Sequence, residues 1–189
     1  MDKHNWYALT GGPGSGKTTL LKELKRRGHN TIKESARYYI KKELAKGLSL
    51  EKIREDEKAF QEAVFKQKQI IHEALATDAI TFFDRGYHDT IAYLKYHEHQ
   101  IAQFIEEVCK NPIYKKVFVL DMLPYINDEV RTEDYETAKQ LHKTLLQTYQ
   151  ESGHEIVRVP VMSVEERADF IEQQINQTAS PMETAGADI

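Results

Sequence analysis

The segment Gly11-Gly12-Pro13-Gly14-Ser15-Gly16-Lys17-Thr18 matches the spacing G-x-x-x-x-G-K-[ST], with an apolar run before it and an amphipathic stretch after it. Each residue type has a physical reason to be there. Extra glycines let a loop wrap so that successive backbone N–H groups point inward, and a helix beginning near Gly16 adds its positive end to the same anion site. Lys17 would reach the β- and γ-phosphates of a nucleotide, and Thr18, followed by Thr19, offers a hard hydroxyl ligand for Mg²⁺. The loop residues 11–19 are therefore the candidate nucleotide-binding residues.

The flanking pattern extends this to a fold class. Trp6-Tyr7-Ala8-Leu9-Thr10 reads as a buried strand stopped by Gly11-Gly12-Pro13, and Leu20, Leu21 and Leu24 give the following helix one apolar face, ended at Gly28. Residues 30–33 read as a weak second strand. A helix follows over 34–46, with Ala36, Ile40 and Leu44 at helical spacing. Between 50 and 76, Ile53, Phe60, Val64, Ile71 and Leu75 fall seven, four, seven and four apart, which predicts one long helix. Strands are expected at 79–83, 117–120 and 156–159, with one or two helices over 87–109 and another carrying Ala138, Leu141, Leu145 and Tyr149. Ser163 and Glu166 form a capping box that opens the last helix, and 178–189 reads as a frayed tail after a single domain over 1–177. Five short strands alternating with helices make an α/β architecture: a parallel sheet sandwiched between two helical layers.

Composition narrows the partners. With 26 Lys+Arg against 30 Asp+Glu the net charge is −4, so no global basic field attracts a nucleic acid or an anionic membrane, and an anionic ligand must be held locally. The single cysteine, Cys109, cannot form an internal disulfide, and five residues before the first apolar run leave no room for a signal peptide, so a cytoplasmic setting is expected. No apolar stretch approaches the roughly 18 residues of a membrane span.

Three further groups carry candidate chemistry. Asp84-Arg85 emerges from the third strand near the phosphate loop: Asp84 can orient Mg²⁺ through water and Arg85 can grip phosphoryl oxygens, the plainer reading being a strand-end ion pair. Asp121 is the competing carboxylate, ranked below Asp84 because no arginine accompanies it. Glu34, with Arg37 one turn later, stands at the exit of the second strand, where a carboxylate can take the proton of an attacking hydroxyl or merely complement a helix dipole. Arg131, in the polar stretch before the helix at 135, is either a mobile arginine closing over transferred phosphate or an inert lead-in. His97 and His99 around Glu98 read as a solvated helix end, and Tyr38-Tyr39 and Tyr93/Tyr96 as packing.

Taken together, residues 8–19, Glu34-Ser35-Ala36-Arg37, Asp84-Arg85-Gly86, residues 130–134 and 159–167 resemble the small P-loop ATPase family called AAA-28, which is grouped with the nicotinamide-riboside kinase domain of bacterial NAD-regulator proteins. The resemblance implies a P-loop NTPase fold similar to nucleoside and nucleotide kinases, sheet order 2-3-1-4-5, a mobile lid and Mg-ATP as donor, with GTP as the alternative. It also implies a base at Glu34 and a metal-and-phosphate pair at Asp84-Arg85. The leading expectation is a small-molecule kinase, monomeric or homodimeric, that moves the γ-phosphoryl of ATP to a nucleoside-like or other hydroxyl acceptor. The competing class is a nucleotide-dependent regulatory module with weak ATPase activity, and a polynucleotide kinase is disfavoured by the charge balance.

Overall fold

Strand β1 (Trp6–Thr10) is buried along its whole length, with Tyr7 and Leu9 on one side of the sheet and Trp6 and Ala8 on the other. The computed structural model to which it belongs describes residues 4–76, 78–123 and 135–177. The expected tail at 178–189, and the polar stretch 124–134 with Arg131 and its lid assignment, lie outside the described residues.

The chain continues through α1 (Lys17–Arg26), β2 (Asn30–Ile32), α2 (Ser35–Ala45), α3 (Leu50–Arg54), α4 (Glu57–Glu73), β3 (Thr81–Asp84), α5 (Tyr87–Tyr96), α6 (Gln103–Cys109), β4 (Lys116–Leu120), α7 (Tyr135–Glu151), β5 (Ile156–Val159) and α8 (Val164–Asn176). Every strand pairing is parallel, and the order β2-β3-β1-β4-β5 is the one the resemblance implies. The alternation along the strands builds two cores. Tyr7, Leu9, Phe82, Phe118 and Leu120 pack against Leu20, Leu24, Ala168 and Ile171 of α1 and α8. On the opposite face Trp6, Ala8, Phe83, Val117 and Val119 pack with Tyr114 and Tyr149. A sheet buried on both faces reads in sequence as near-continuous apolar runs, which is why these strands were legible.

Register sets the functional edge. Leu9 pairs with both Asp84 and Phe118, and Thr10 with Val119, so β1, β3 and β4 end level and deliver Gly11, Asp84-Arg85 and Asp121 to the same rim.

Three expectations are corrected. The long helix over 50–76 is broken: Ser49 caps α3 by accepting from Lys52 N, and Asp56 caps α4 by accepting from Ala59 N at 2.9 Å. Ser49 caps the expected start, while Asp56, a residue suited to capping, outweighs the periodicity that runs through it. The buried face of α4 also departs from an apolar stripe, since Lys68 and His72 are buried there while Ile71 is only half-buried. Strand β3 starts at Thr81 rather than Ala79, leaving Ile80 exposed, and takes Asp84 into the ladder. The capping box at Ser163 and Glu166 forms as read, with amide-to-side-chain bonds of 2.9 and 3.2 Å. Among the described residues no helix is long and apolar enough to cross a membrane.

Candidate active site at the phosphate loop

The loop between β1 and α1 owes its path to glycine. A Cβ on Gly11 would sit 2.7 Å from the Leu120 carbonyl oxygen, and Gly16 opens α1 at φ 88°, the left-handed region that side chains disfavour. The first amides of α1 have no intrahelical acceptor, so they face the loop as donors. Lys17 folds back into the loop, donating to the carbonyls of Gly11 at 2.8 Å and Gly12 at 3.0 Å and to Ser15 Oγ at 3.1 Å. Burial lowers its pKa, and the nearby Arg85 charge pushes the same way, against Asp84, Asp89 and Glu34. Lys17 is thus a desolvated amine whose protonated form gains from any anion placed in the loop.

Two contacts from distant sequence brace the loop. Arg167, at the start of α8, donates from Nη1 to the Ser15 carbonyl at 2.8 Å and from Nε to the Pro160 carbonyl at 2.9 Å. His142 of α7 accepts from Gly12 N at 3.2 Å. Sequence reading found neither, because each partner is more than a hundred residues away and no local spacing marks it.

Asp84 lies at the end of β3 with its Oδ1 buried and without a hydrogen-bond partner. Burial raises its pKa, with the Glu34 charge adding to the effect, while Arg85 and Lys17 pull it down. Such a carboxylate, close to Lys17, is a candidate for a ligand that the protein itself does not supply. Asp84 and Thr18 line one cleft of about 270 Å³ with Lys22, Ile32, Glu34 and Arg37. Asp121, the alternative carboxylate, is committed elsewhere: Arg158 donates to its Oδ1 from Nη2 at 2.7 Å.

Glu34 occupies the cap position of α2, yet its side chain makes no capping bond. Its carboxylate turns into the site instead, accepting from Arg85 Nε at 3.0 Å through Oε1 and from Arg37 Nε at 2.9 Å through Oε2. Burial opposes its ionisation, but Arg85, then Arg37 and Lys17, outweigh it and hold the carboxyl below its ordinary range. Dipole complementation alone does not describe this residue.

Arg85 has φ 69°, in the left-handed region where a non-glycine residue is strained. Its guanidinium donates to Glu34, donates from Nη1 to Asp89 Oδ1 at 3.1 Å, and lies 5.3 Å from the centre of the Tyr93 ring. A second, smaller pocket beyond it is lined by Glu34, Phe60, Gln61, Lys68, Arg85 and Tyr93. The structure therefore brings residues 11–19, Glu34, Asp84 and Arg85 to one place, and Tyr93 contributes to a pocket wall rather than to packing alone. Asp89, which closes the segment Asp84-Arg85-Gly86-Tyr87-His88-Asp89, carries no role in the sequence reading, and Lys68 is not singled out there. Asp89 stands in the first turn of α5 while Arg85 precedes that helix with φ 69°, so helical spacing does not mark the pair. Lys68 lies four residues after Val64 and three before Ile71, on the expected stripe, and nothing local marks it for a polar contact.

The AAA-28 family, described as an AAA domain, matches residues 6–167. The chain belongs to this family. Among solved structures, thymidylate kinase from Candida albicans superposes with a TM-score of 0.67 at 15% identity, covering 94% of this chain and 93% of that one. Thymidylate kinase from Ehrlichia chaffeensis gives 0.63 at 16%, covering 90% and 97%. The NadR protein in complex with NR gives 0.67 at 17%, over 96% of this chain and 52% of that one. No curated protein matches. At these identities the neighbours establish the fold, a nucleotide-kinase-like P-loop α/β/α sandwich.

Proposed function

We propose that this AAA-28 protein is a small-molecule phosphotransferase that passes the γ-phosphoryl of ATP to a hydroxyl of a nucleoside-like acceptor. The observation that carries the reading is the placement of Glu34: a carboxylate at a helix start that forgoes capping and is held by Arg85 beside the cleft shared by Thr18 and Asp84. A protein that only sensed nucleotide would need the loop, but not a half-buried carboxylate lining the neighbouring cavity. The named activities of the neighbouring kinases support the same class.

The roles follow from chemistry. Loop amides and Lys17 would cradle the β- and γ-phosphates, Lys17 exchanging its carbonyl partners for phosphate oxygens. The residues fit a divalent cation: Thr18 and the unpartnered Asp84 oxygen are hard oxygen donors in one cleft, and Asp84 would act directly or through water. Mg²⁺ bound there would neutralise charge on the transferring phosphoryl group. Arg85 is already aimed by two carboxylates and would hold phosphoryl oxygens with its remaining donors. Glu34 would orient the acceptor hydroxyl and take its proton. Arg37, its more exposed partner, is the one an incoming acceptor would displace.

Glu34→Gln tests the assignment. Mg-ATP affinity by calorimetry is expected to stay within about twofold, while acceptor-dependent ADP formation falls by about 10²- to 10⁴-fold, the range for losing a general base. Acceptor-dependent turnover that survives the substitution would remove Glu34 from the chemistry. ADP formation that never responds to any acceptor favours the regulatory ATPase class instead.

A further inference from the structure

Asp89 is the most heavily bonded carboxylate at the site edge. Its Oδ1 accepts from Thr10 Oγ1 at 2.7 Å and Arg85 Nη1 at 3.1 Å. Its Oδ2 accepts from Gly86 N at 2.8 Å and from the Tyr149 hydroxyl at 2.7 Å. The residue is 1% exposed. A carboxylate offers about four lone-pair sites, and here four donors occupy them, so Asp89 has no capacity left to bind a metal or take a proton. What it can do is fix geometry. Its four donors come from the last residue of β1 just before the phosphate loop, from Arg85, from the turn that opens α5, and from α7.

We infer that Asp89 is the positioning residue of this site: it sets the aim of the Arg85 guanidinium and ties that aim to the phosphate loop through Thr10 and to α7 through Tyr149. Two observations give the arrangement its purpose. Arg85 sits at φ 69°, a backbone state that persists only where surrounding contacts over-determine it. The turn is also packed without slack, since a Cβ on Gly86 would lie 2.5 Å from the Tyr149 hydroxyl oxygen and 2.6 Å from the Tyr114 ring. Lys68 grips the same turn from the other side, donating to the Gly86 carbonyl at 2.6 Å and to Thr90 Oγ1 at 3.2 Å. Arg85 is thereby held between Glu34, which faces the acceptor side, and Asp89, which faces the protein interior. This inference rests on the phosphotransferase reading for its catalytic consequence, but not for its geometry.

The experiment compares wild type, Asp89→Asn, Arg85→Ala and the double variant by two measurements. In the first, affinity for Mg-ADP is measured alone and with fluoroaluminate, which mimics the transferring phosphoryl group. Asp89→Asn is expected to keep its circular dichroism and bind Mg-ADP within about twofold of wild type, yet lose about tenfold or more of the fluoroaluminate gain, with the double variant no worse than Arg85→Ala. A gain that is undiminished in Asp89→Asn, or independent losses that multiply in the double variant, would overturn the inference.

The second measurement is the Arg85 Nε–H resonance. It is expected to be distinct and slow to exchange in the wild type, and shifted or broadened in Asp89→Asn; an unmoved signal contradicts the positioning role. If wild type shows no fluoroaluminate gain, the phosphotransferase reading fails and this resonance still decides the positioning role. Should Asp89→Asn not fold, Tyr149→Phe removes one donor and keeps the ring. A loss of about two- to fivefold in the gain supports the link to α7, and none refutes it.

Discussion

Asp84 carries an energetic tension that the loop lysine relieves only in part. An acid whose pKa is raised by folding favours the folded state while protonated; that contribution is complete below the ordinary carboxylate range and is lost as pH rises through the raised value. The ionised group is buried with an oxygen that lacks a donor, a cost that a cation bound there would offset. Two outcomes follow. Mg²⁺-dependent nucleotide binding should weaken as pH falls through the weakly acidic range, and Asp84→Asn should lower the affinity and flatten that dependence; a profile unchanged by the substitution removes Asp84 from the metal site. Lys17 gives the second. Mg-ADP at about a hundred times its Kd should stabilise the wild type by about 2.7 kcal/mol, and thermal melts of Lys17→Ala should show the unliganded fold intact with that shift gone. Lys17→Ala melting upward like wild type would mean that the nucleotide binds elsewhere.

At the scale of elements, the caps and turns decide more than the periodicities do. The apolar spacing from Ile53 to Leu75 is real, but Asp56 accepts from Ala59 N and starts a new helix, and Lys68 and His72 continue the buried face of that helix after Phe60 and Val64. Reading Asp56 as a cap was within reach of the sequence; knowing that Lys68 would meet the Gly86 carbonyl was not, because that contact exists only once α4 lies on the sheet. Asp56→Ala should cost about 1 kcal/mol in denaturant melts. Gly86→Ala should cost about 1–3 kcal/mol or more, since the added methyl meets Tyr149 and Tyr114 with no room to yield. A Gly86→Ala protein as stable as wild type would show that the turn is looser than its contacts imply. The five strands, the loop and the acid-arginine pair were legible because buried parallel strands and glycine-rich turns leave local signals, whereas the strand order followed only from the family resemblance. The bracing by Arg167, His142 and Asp89 was not, because it is assembled across the fold.

On the scale of the whole molecule, a chain of net charge −4 concentrates Lys17 and Arg85 with loop amides at one sheet edge and balances them with Glu34, Asp84 and Asp89. A positive focus set among carboxylates suits a phosphate that must be bound with a cation and then handed on, rather than held as a permanent anion. Helices α1 and α8 pack on one face of the sheet beneath the loop, and the two pockets beside the loop share Glu34. The most direct measurement is transfer itself: γ-labelled ATP, Mg²⁺ and a panel of nucleosides and related hydroxyl compounds, with products resolved by chromatography. Label is expected on an acceptor hydroxyl in amounts matching the ADP formed, lost in Lys17→Ala and strongly reduced in Glu34→Gln. Release of labelled inorganic phosphate alone, equal in the presence and absence of every acceptor, would contradict it.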